Sequence, residues 1–192
     1  MKKILVVLGH PNKASYCAAL ADAYAAAAKD AGATVRTLAL ADCPFDPVLQ
    51  WGYTRAQTLE ATLDAAQADV KWADHLVFVY PNWWGSFPAL LKGFFDRAFL
   101  PGFAFKYRPN SALWDKLLTG RSARVLVTMD SPPWYYRFIV GAPGDKQLRR
   151  AILEFCGISP VRFNHFGSMK HANAAKRGRW LEQAAALGRG DV

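Results

Sequence analysis

Residues 3–31 read KILVVLGHPNKASYCAALADAYAAAAKDA, and this stretch decides the fold. The run Lys3–Gly9 carries aliphatic residues on both faces, which is typical of a strand buried inside a parallel sheet. A short polar loop follows, and the alanine-rich segment Ser15–Ala31 has the composition of a helix that ends before Gly32. The stretch therefore predicts one strand–loop–helix unit.

The same unit recurs along the chain. Buried strands are predicted at Lys3–Gly9, Thr34–Leu40, His75–Tyr80, Ala123–Met129 and Val161–Phe166. Helices are predicted at Ser15–Ala31, Thr58–Trp72, Pro88–Phe99, Lys146–Cys156 and Ala172–Leu187. Five rounds of strand and helix indicate a single α/β domain, residues 1–192, with a doubly wound, five-stranded parallel sheet and helices on both faces.

The composition is that of an ordinary globular protein, with 192 residues, 52% hydrophobic and 20% charged. It excludes a disordered or collagen-like chain. The three cysteines lie far apart without a C-x-x-C pair, so we expect no metal site and no disulfide framework. The apolar run near Met1 is too short for a secretory signal, and no stretch approaches the ~18 apolar residues of a membrane span. A mature cytoplasmic protein is expected.

The formal net charge is +9, and residues 121–192 hold most of the excess, with 12 Lys or Arg against 5 Asp or Glu. Such a surface attracts nucleic acid, an anionic membrane surface or phosphorylated small molecules. No zinc-finger spacing or RNP-type aromatic motif accompanies the charge, so no nucleic-acid partner is predicted. Contact with a membrane surface stays open, without an integral segment.

Ligands of open α/β sheets bind at the carboxyl ends of the strands, which directs attention to three loops. The loop that follows Lys3–Gly9 contains His10, Asn12 and Ser15 and runs directly into a helix. It can offer backbone N–H groups, a hydroxyl and an imidazole to a phosphate. The alternative, weighed evenly, is that Ser15 is only the helix N-cap and His10 lies in an exposed turn.

The second loop is Pro81–Pro88, directly after the strand His75–Tyr80. Its adjacent tryptophans, Trp83 and Trp84, do not both point easily into a core, and a flat ligand would give them a partner. The structural alternative is that they seal the end of the sheet. The backbone around Gly85 can offer N–H groups to the heteroatoms of a ring.

The third loop, Thr128–Tyr136, contains paired prolines that predict a rigid turn and hold three aromatic residues at the same edge. Core packing accounts for one aromatic residue on such a loop. The presence of three is better explained by a ligand that contacts them. Hydrolytic motifs are absent from the sequence. His75, His165 and His171 are interpreted as structural or surface residues, and Cys17 as a small buried residue.

One segment, Leu100–Gly120, is not required by the fold. It contains two prolines and two glycines, is too irregular for a helix and is long for a plain connection. Loops of this length within a compact domain are often functional. We therefore treat it as a candidate functional loop.

Three segments resemble a known family: GHPNKASYCAAL (9–20), ADHLVFVYPNWWGSFPALLKGFFDR (73–97) and LPGFAF (100–105). They are similar to the flavodoxin-like NAD(P)H:quinone oxidoreductases, which include DT-diaphorase. The resemblance implies a flavodoxin-like fold and a flavin, FMN or FAD, whose phosphate lies in the first loop. The flavin-binding positions that it implies are His10, Ser15, Tyr16, Cys17, Pro81, Asn82, Trp83, Trp84, Gly85, Thr128, Met129, Asp130 and Ser131.

The resemblance also implies an enzyme that oxidises NADH or NADPH and reduces a quinone or similar flat acceptor. Hydride passes through flavin N5, and the two substrates occupy the same place in turn. Tyr136 is the candidate catalytic residue, since its hydroxyl could stabilise charge on the reduced ring. A homodimer is implied, in which Phe105 and Tyr107 close the partner's substrate site.

The sequence departs from DT-diaphorase at two places. A Thr-Thr-Gly-Gly turn of that enzyme is replaced by residues 129–132, and its histidine near the flavin falls at Pro143 here. Two other flavoprotein functions remain as alternatives, a flavodoxin-like electron carrier and a regulatory subunit of a membrane transporter. Flavodoxin-like electron carriers are usually acidic, which argues against that function for this basic chain. A regulatory subunit could use the basic C-terminal half as the surface that docks on the transporter.

Overall fold

The computed structural model describes all residues, 1–192. Seven strands form in chain order: β1 Lys3–Leu8, β2 Thr34–Ala39, β3 His75–Pro81, β4 Phe105–Tyr107, β5 Trp114–Lys116, β6 Ser122–Thr128 and β7 Val161–Phe166. The main helices are α1 Tyr16–Asp30, α2 Ala61–Trp72, α3 Ala89–Ala98, α4 Pro133–Phe138, α5 Pro143–Lys146, α6 Glu154–Cys156 and α7 Ala174–Gly190. A π-helical segment, Gln147–Leu153, joins α5 to α6.

Five strands form one parallel sheet in the order β2-β1-β3-β6-β7. This is the flavodoxin-like order, in which the direction of winding changes between β1 and β3. Helices α1 and α7 cover one face, and α2, α3 and the run from α5 to α6 cover the other. The predicted fold, a five-stranded doubly wound sheet, is confirmed.

The alternation of side chains along β1 divides the core into two clusters. Ile4, Val6 and Leu8 pack against α1, whereas Leu5 and Val7 pack on the opposite side. All five are buried. Successive residues of a strand point to opposite faces, so a strand apolar on both faces needs helices on both.

A buried arginine holds the long segment between β2 and α2 against the core. Arg97 of α3 is fully buried and donates to both carboxylate oxygens of Glu60 and to the carbonyls of Asp46 and Thr58. A buried guanidinium requires extensive pairing, because an isolated charge costs several kcal/mol, and only the Nε of Arg97 lacks a partner. Arg97 is therefore structural.

Two local predictions were incomplete. Residues 100–120 were expected to be irregular, but they contain the antiparallel hairpin β4–β5, whose strands of three residues are too short for a periodic signal. The paired prolines were expected to form a rigid turn. Instead Pro133 is in the first turn of α4, where its fixed φ and missing N–H suit a helix start.

Candidate functional site

The loops after β1, β3 and β6 meet at the carboxyl edge of the sheet, as predicted. Backbone hydrogen bonds join them laterally: Gly9 N–H donates to the Val79 carbonyl (2.8 Å), and Asn82 N–H to the Thr128 carbonyl (2.7 Å). They enclose a cleft of about 190 Å³, here called the β1–β3 cleft. Its lining residues are His10, Ser15, Tyr16, Cys17, Pro81, Asn82, Trp83, Thr128, Met129, Asp130 and Met169.

The first loop presents free backbone donors to this cleft. Ser15 is the N-cap of α1, and its Oγ accepts a hydrogen bond from Ala18 N–H (3.3 Å). The N–H groups of Tyr16 and Cys17 donate to no other group of the chain. Unpaired N–H groups and the helix dipole favour an anion at this position. Ser15 is thus both a cap and part of the cleft wall.

His10 is held in one orientation. Its Nδ1 accepts a hydrogen bond from Asn12 N–H (2.9 Å), and its ring meets that of Trp83 edge-on, with centroids 5.6 Å apart. Burial lowers the pKa of His10. The imidazole is therefore neutral near pH 7, with its proton on Nε2, since Nδ1 acts as an acceptor.

Cys17 lines the floor of the cleft but is not a nucleophile. Its Sγ lies 3.2 Å from Thr128 Oγ1. Burial raises the pKa of the Cys17 thiol to about 11, against the opposing effect of the hydrogen bond with Thr128. Because the thiolate is the reactive form, the thiol is unreactive at neutral pH.

The second loop makes a tight turn that sends two aromatic rings in different directions. Trp83 and Ser86 exchange backbone hydrogen bonds of 2.9 and 3.0 Å, while Trp84 (φ 53°) and Gly85 (φ 78°) occupy the left-handed region. This is the pattern of a type I′ turn. Trp83 lines the cleft, and Trp84 projects entirely into solvent.

One buried polar atom in the cleft has no partner. Oδ1 of Asn82 is buried and forms no hydrogen bond within the chain. Leaving such a group unpaired costs about 1–3 kcal/mol, so it marks a place where a ligand could bond. The side-chain amide of Asn82 thus offers a polar contact that the fold does not use.

Tyr136 lies behind the second loop and not in the cleft. Its buried hydroxyl donates to the Gly85 carbonyl (3.2 Å) and also lies 3.4 Å from Asp145 Oδ1. Gly144 N–H donates to the same carbonyl (2.9 Å). A Cβ at Gly144 would stand 2.7 Å from that oxygen, so only glycine fits there. In the structure the Tyr136 hydroxyl positions Gly85, and its predicted direct role toward the flavin stays a prediction.

Burial and, after it, the charge of the neighbouring Asp145 raise the pKa of Tyr136 to about 12. The Asp145 carboxylate also lies 2.8 Å from His165 Nε2. His165 therefore belongs to this support network, in agreement with its interpretation as a structural histidine.

Most predicted flavin-binding residues come together, and a few do not. Ten of them line the cleft, whereas Trp84, Gly85 and Ser131 do not. Gly85 supports the turn, and Ser131 accepts a backbone bond from Ser168 N–H (3.2 Å). Sequence reasoning missed Met169, which lies after β7. Only the adjacency of β6 and β7 could have located it, since its loop has no distinctive composition.

The hairpin places the two predicted substrate residues differently. Phe105 is 6% exposed and packs edge-on against Phe155 and Tyr107, with centroids 5.0 and 5.2 Å apart. Tyr107 is 60% exposed. Of these two residues Tyr107 presents a free aromatic face and Phe105 does not, and their predicted place in a partner's site stays a prediction.

Two further structural findings concern the whole chain. No three His, Cys, Asp or Glu side chains come together in a way that suits a metal ion. None of the helices has the length and apolar character needed to span a membrane.

Comparisons with known proteins agree with this geometry. A family model described as a flavodoxin-like fold matches residues 2–187. An uncharacterized NAD(P)H oxidoreductase of Haemophilus influenzae is 28% identical over 186 residues, covering 94% of this chain and 91% of that protein. The NAD(P)H dehydrogenase (quinone) 1 of Cavia porcellus is 27% identical, over 82% of this chain and 65% of its own length. The crystal structure of Smu.1420 from Streptococcus mutans UA159 matches with a TM-score of 0.83 and 34% identity, covering 98% of this chain and 99% of that one.

Proposed function

The chain belongs to the flavodoxin-like family of NAD(P)H:quinone oxidoreductases, and from this premise we propose that it is a flavin-dependent enzyme that oxidises NAD(P)H and reduces a quinone-like acceptor. A bound flavin would supply the redox chemistry between the nicotinamide and the acceptor. The chain supplies binding, orientation and exclusion of water.

One observation carries the proposal: the β1–β3 cleft has unused hydrogen-bonding groups of the kinds that a flavin requires. The free N–H groups of Tyr16 and Cys17 suit a phosphate, and the unpartnered Asn82 amide suits a polar ring edge. Trp83 offers an apolar face beside them. FMN and FAD share both the phosphate and the ring, so these residues fit either cofactor.

The Cys17 thiol and the Tyr136 hydroxyl are not available as general bases, and the Asp130 carboxylate that lines the cleft lies 3.3 Å from Lys170 Nζ. The thiol of Cys17 and the hydroxyl of Tyr136 stay protonated at neutral pH, with pKa values of about 11 and 12. His10 is neutral and carries its proton on Nε2. Since the redox chemistry belongs to the cofactor, these groups would hold the flavin and not exchange protons with substrate.

A homodimer is part of the proposal. The β1–β3 cleft supplies one wall for a flat acceptor, and a two-fold partner would supply the second wall twice. Exposed aromatic side chains are available for this purpose on both sides: Trp84 beside the cleft and Tyr107 on the hairpin. The buried Phe105 acts indirectly, by supporting Tyr107.

Replacing Tyr107 with alanine is expected to lower kcat/KM for quinone about tenfold, the effect of losing one aromatic contact of ~1.4 kcal/mol. Flavin affinity should change little, because the flavin would bind mainly to its own chain. Steady-state kinetics measures kcat/KM, quenching of flavin fluorescence measures flavin affinity, and sedimentation reports the oligomeric state. Leu113→Ala, an equally exposed change on the same hairpin, is the control. A monomeric wild type with full quinone activity would reject the shared site.

A cytoplasmic location completes the proposal, supported by three free cysteines. The direct test of the activity is oxidation of NADH or NADPH by the flavin-reconstituted protein in the presence of a soluble quinone. We expect quinone-dependent turnover that needs the flavin. Flavin-loaded protein that oxidises neither nucleotide would contradict the proposed reaction.

A further inference from the structure

A second cleft, of about 440 Å³, lies between the run from α4 to the π-helical segment Gln147–Leu153 and the edge strand β7. We call it the Arg149 cleft and define it by Arg137, Lys146, Arg149 and Arg150, together with Phe138 and Phe163. Its volume is more than twice that of the β1–β3 cleft. Such a cleft is large enough for part of a nucleotide.

The four cations of this cleft are unpaired. None of them forms a salt bridge with any carboxylate of the chain. The one carboxylate in the lining, Asp145, is already engaged by His165. Arg149 is half-buried, and its Nε is buried without any hydrogen-bond partner. Converging, uncompensated cations create a strong local preference for an anion.

Aromatic rings lie against two of the guanidinium groups. The guanidinium carbon of Arg149 lies 5.1 Å from the ring centroid of Phe163, and that of Arg137 lies 5.3 Å from the ring of Phe138. Planar guanidinium groups bind phosphate by paired hydrogen bonds, and aromatic rings offer faces on which a base can stack. The combination matches a phosphorylated nucleoside better than a bare inorganic ion.

The Arg149 cleft is connected to the proposed flavin site by direct contacts. Asp145, in its lining, lies within 3.4 Å of the Tyr136 hydroxyl, which in turn donates to the Gly85 carbonyl. Gly144, the residue before Asp145, donates to the same carbonyl. A ligand in the Arg149 cleft therefore lies behind the turn that borders the β1–β3 cleft.

We propose that the Arg149 cleft binds the adenosine end of NADPH that carries the 2′-phosphate, so that NADPH is preferred over NADH as electron donor. This inference rests on the proposed function, in which a nicotinamide nucleotide supplies the electrons. The cations recognise the extra phosphate that distinguishes the two nucleotides, and the exposed phenyl ring of Phe138 offers a face to the adenine.

The test is calorimetric titration of the flavin-loaded protein with 2′,5′-ADP, 5′-ADP and inorganic phosphate. We expect 2′,5′-ADP to bind at least tenfold more tightly than either other probe. Arg149→Met keeps most of the side-chain stem and removes the charge, and Lys146→Gln changes an exposed residue that the fold does not need. Each should weaken 2′,5′-ADP binding about tenfold and reduce kcat/KM for NADPH similarly, with NADH changed less than twofold.

Arg162→Met is the matched control, because Arg162 is an exposed arginine of β7 that lies outside the cleft. It should leave every measurement within twofold of wild type. Equal binding of 2′,5′-ADP to wild type and Arg149→Met would overturn the proposal, as would equal affinity for 2′,5′-ADP and inorganic phosphate. Repeating the titration without flavin separates failure of this cleft from failure of the proposed flavin chemistry.

Discussion

Replacing Asp191 with alanine is expected to lower the free energy of unfolding by about 3–5 kcal/mol, the cost of removing one partner from a buried ion pair. Asp191 follows α7, and its carboxylate accepts hydrogen bonds from Arg124 of β6 and from Tyr24 of α1 (2.7 Å). His75 Nε2 lies 3.3 Å away. All four side chains are buried, so the change would strand the Arg124 charge.

The effect should depend on pH with a definite sign. Burial alone would raise the pKa of Asp191, but the hydrogen bonds from Arg124 hold it well below the ordinary value of 3.8. A carboxyl group whose pKa is lower in the folded than in the unfolded state stabilises the fold fully at pH values above its unfolded-state pKa. This contribution is lost as the pH falls through the folded-state pKa. The difference between wild type and variant should therefore be full at pH 7 and shrink below about pH 3.8.

Urea unfolding monitored by tryptophan fluorescence, at pH 7 and at lower pH, measures the loss of unfolding free energy and its pH dependence. Asp22→Ala is the control, because Asp22 is an exposed residue of α1 without an ion pair, and its replacement should stay within about 0.5 kcal/mol of wild type. If Asp191→Ala lowered the free energy of unfolding by less than 1 kcal/mol at pH 7, the Asp191–Arg124 pair would contribute little to stability.

The second large effect concerns the first loop of the site. Ser15→Asp places a negative charge at the N-terminus of α1, beside the N–H groups of Tyr16 and Cys17 that are proposed to bind the flavin phosphate. Losing one charge-assisted hydrogen bond costs about 1.5–3 kcal/mol before any repulsion is counted. Flavin affinity, measured by quenching of flavin fluorescence, should fall at least tenfold.

Ser15→Asn separates charge from capping, because both Asp and Asn are good N-caps and only Asp is charged. The Asn variant should keep flavin affinity within about threefold, and both variants should remain as stable as wild type. Unchanged affinity in Ser15→Asp would mean that Ser15 serves only as the N-cap.

The main sheet could be predicted because its strands are apolar on both faces. Val161–Phe166 was predicted with the bounds observed, and His75 was correctly placed at the start of β3. The end of α7 was missed, since Gly188 resembles a stop signal. In the structure its missing Cβ lets α7 approach α1, where a Cβ would stand 2.3 Å from the Tyr24 carbonyl. That contact depends on tertiary packing, which a local pattern does not report.

The site could be predicted where loop chemistry and topology agree. Strand-end loops rich in small, polar and aromatic residues located His10, Asn82 and Trp83, and the resemblance to a known family supplied the cofactor hypothesis. The family and the enzyme class are confirmed by the comparisons. The direction of the Tyr136 hydroxyl could not be predicted, because it depends on the Gly85 carbonyl, 51 residues distant in sequence.

The central claim is that the β1–β3 cleft binds a flavin without a covalent bond, and the visible absorption spectrum tests it most directly. The protein is incubated with FMN or FAD and desalted, and Ser15→Asp is treated in parallel. The account predicts a yellow wild-type protein with flavin bands near one equivalent per chain, released on denaturation, and a largely colourless variant. A wild-type protein that is colourless after desalting with both flavins would contradict the account.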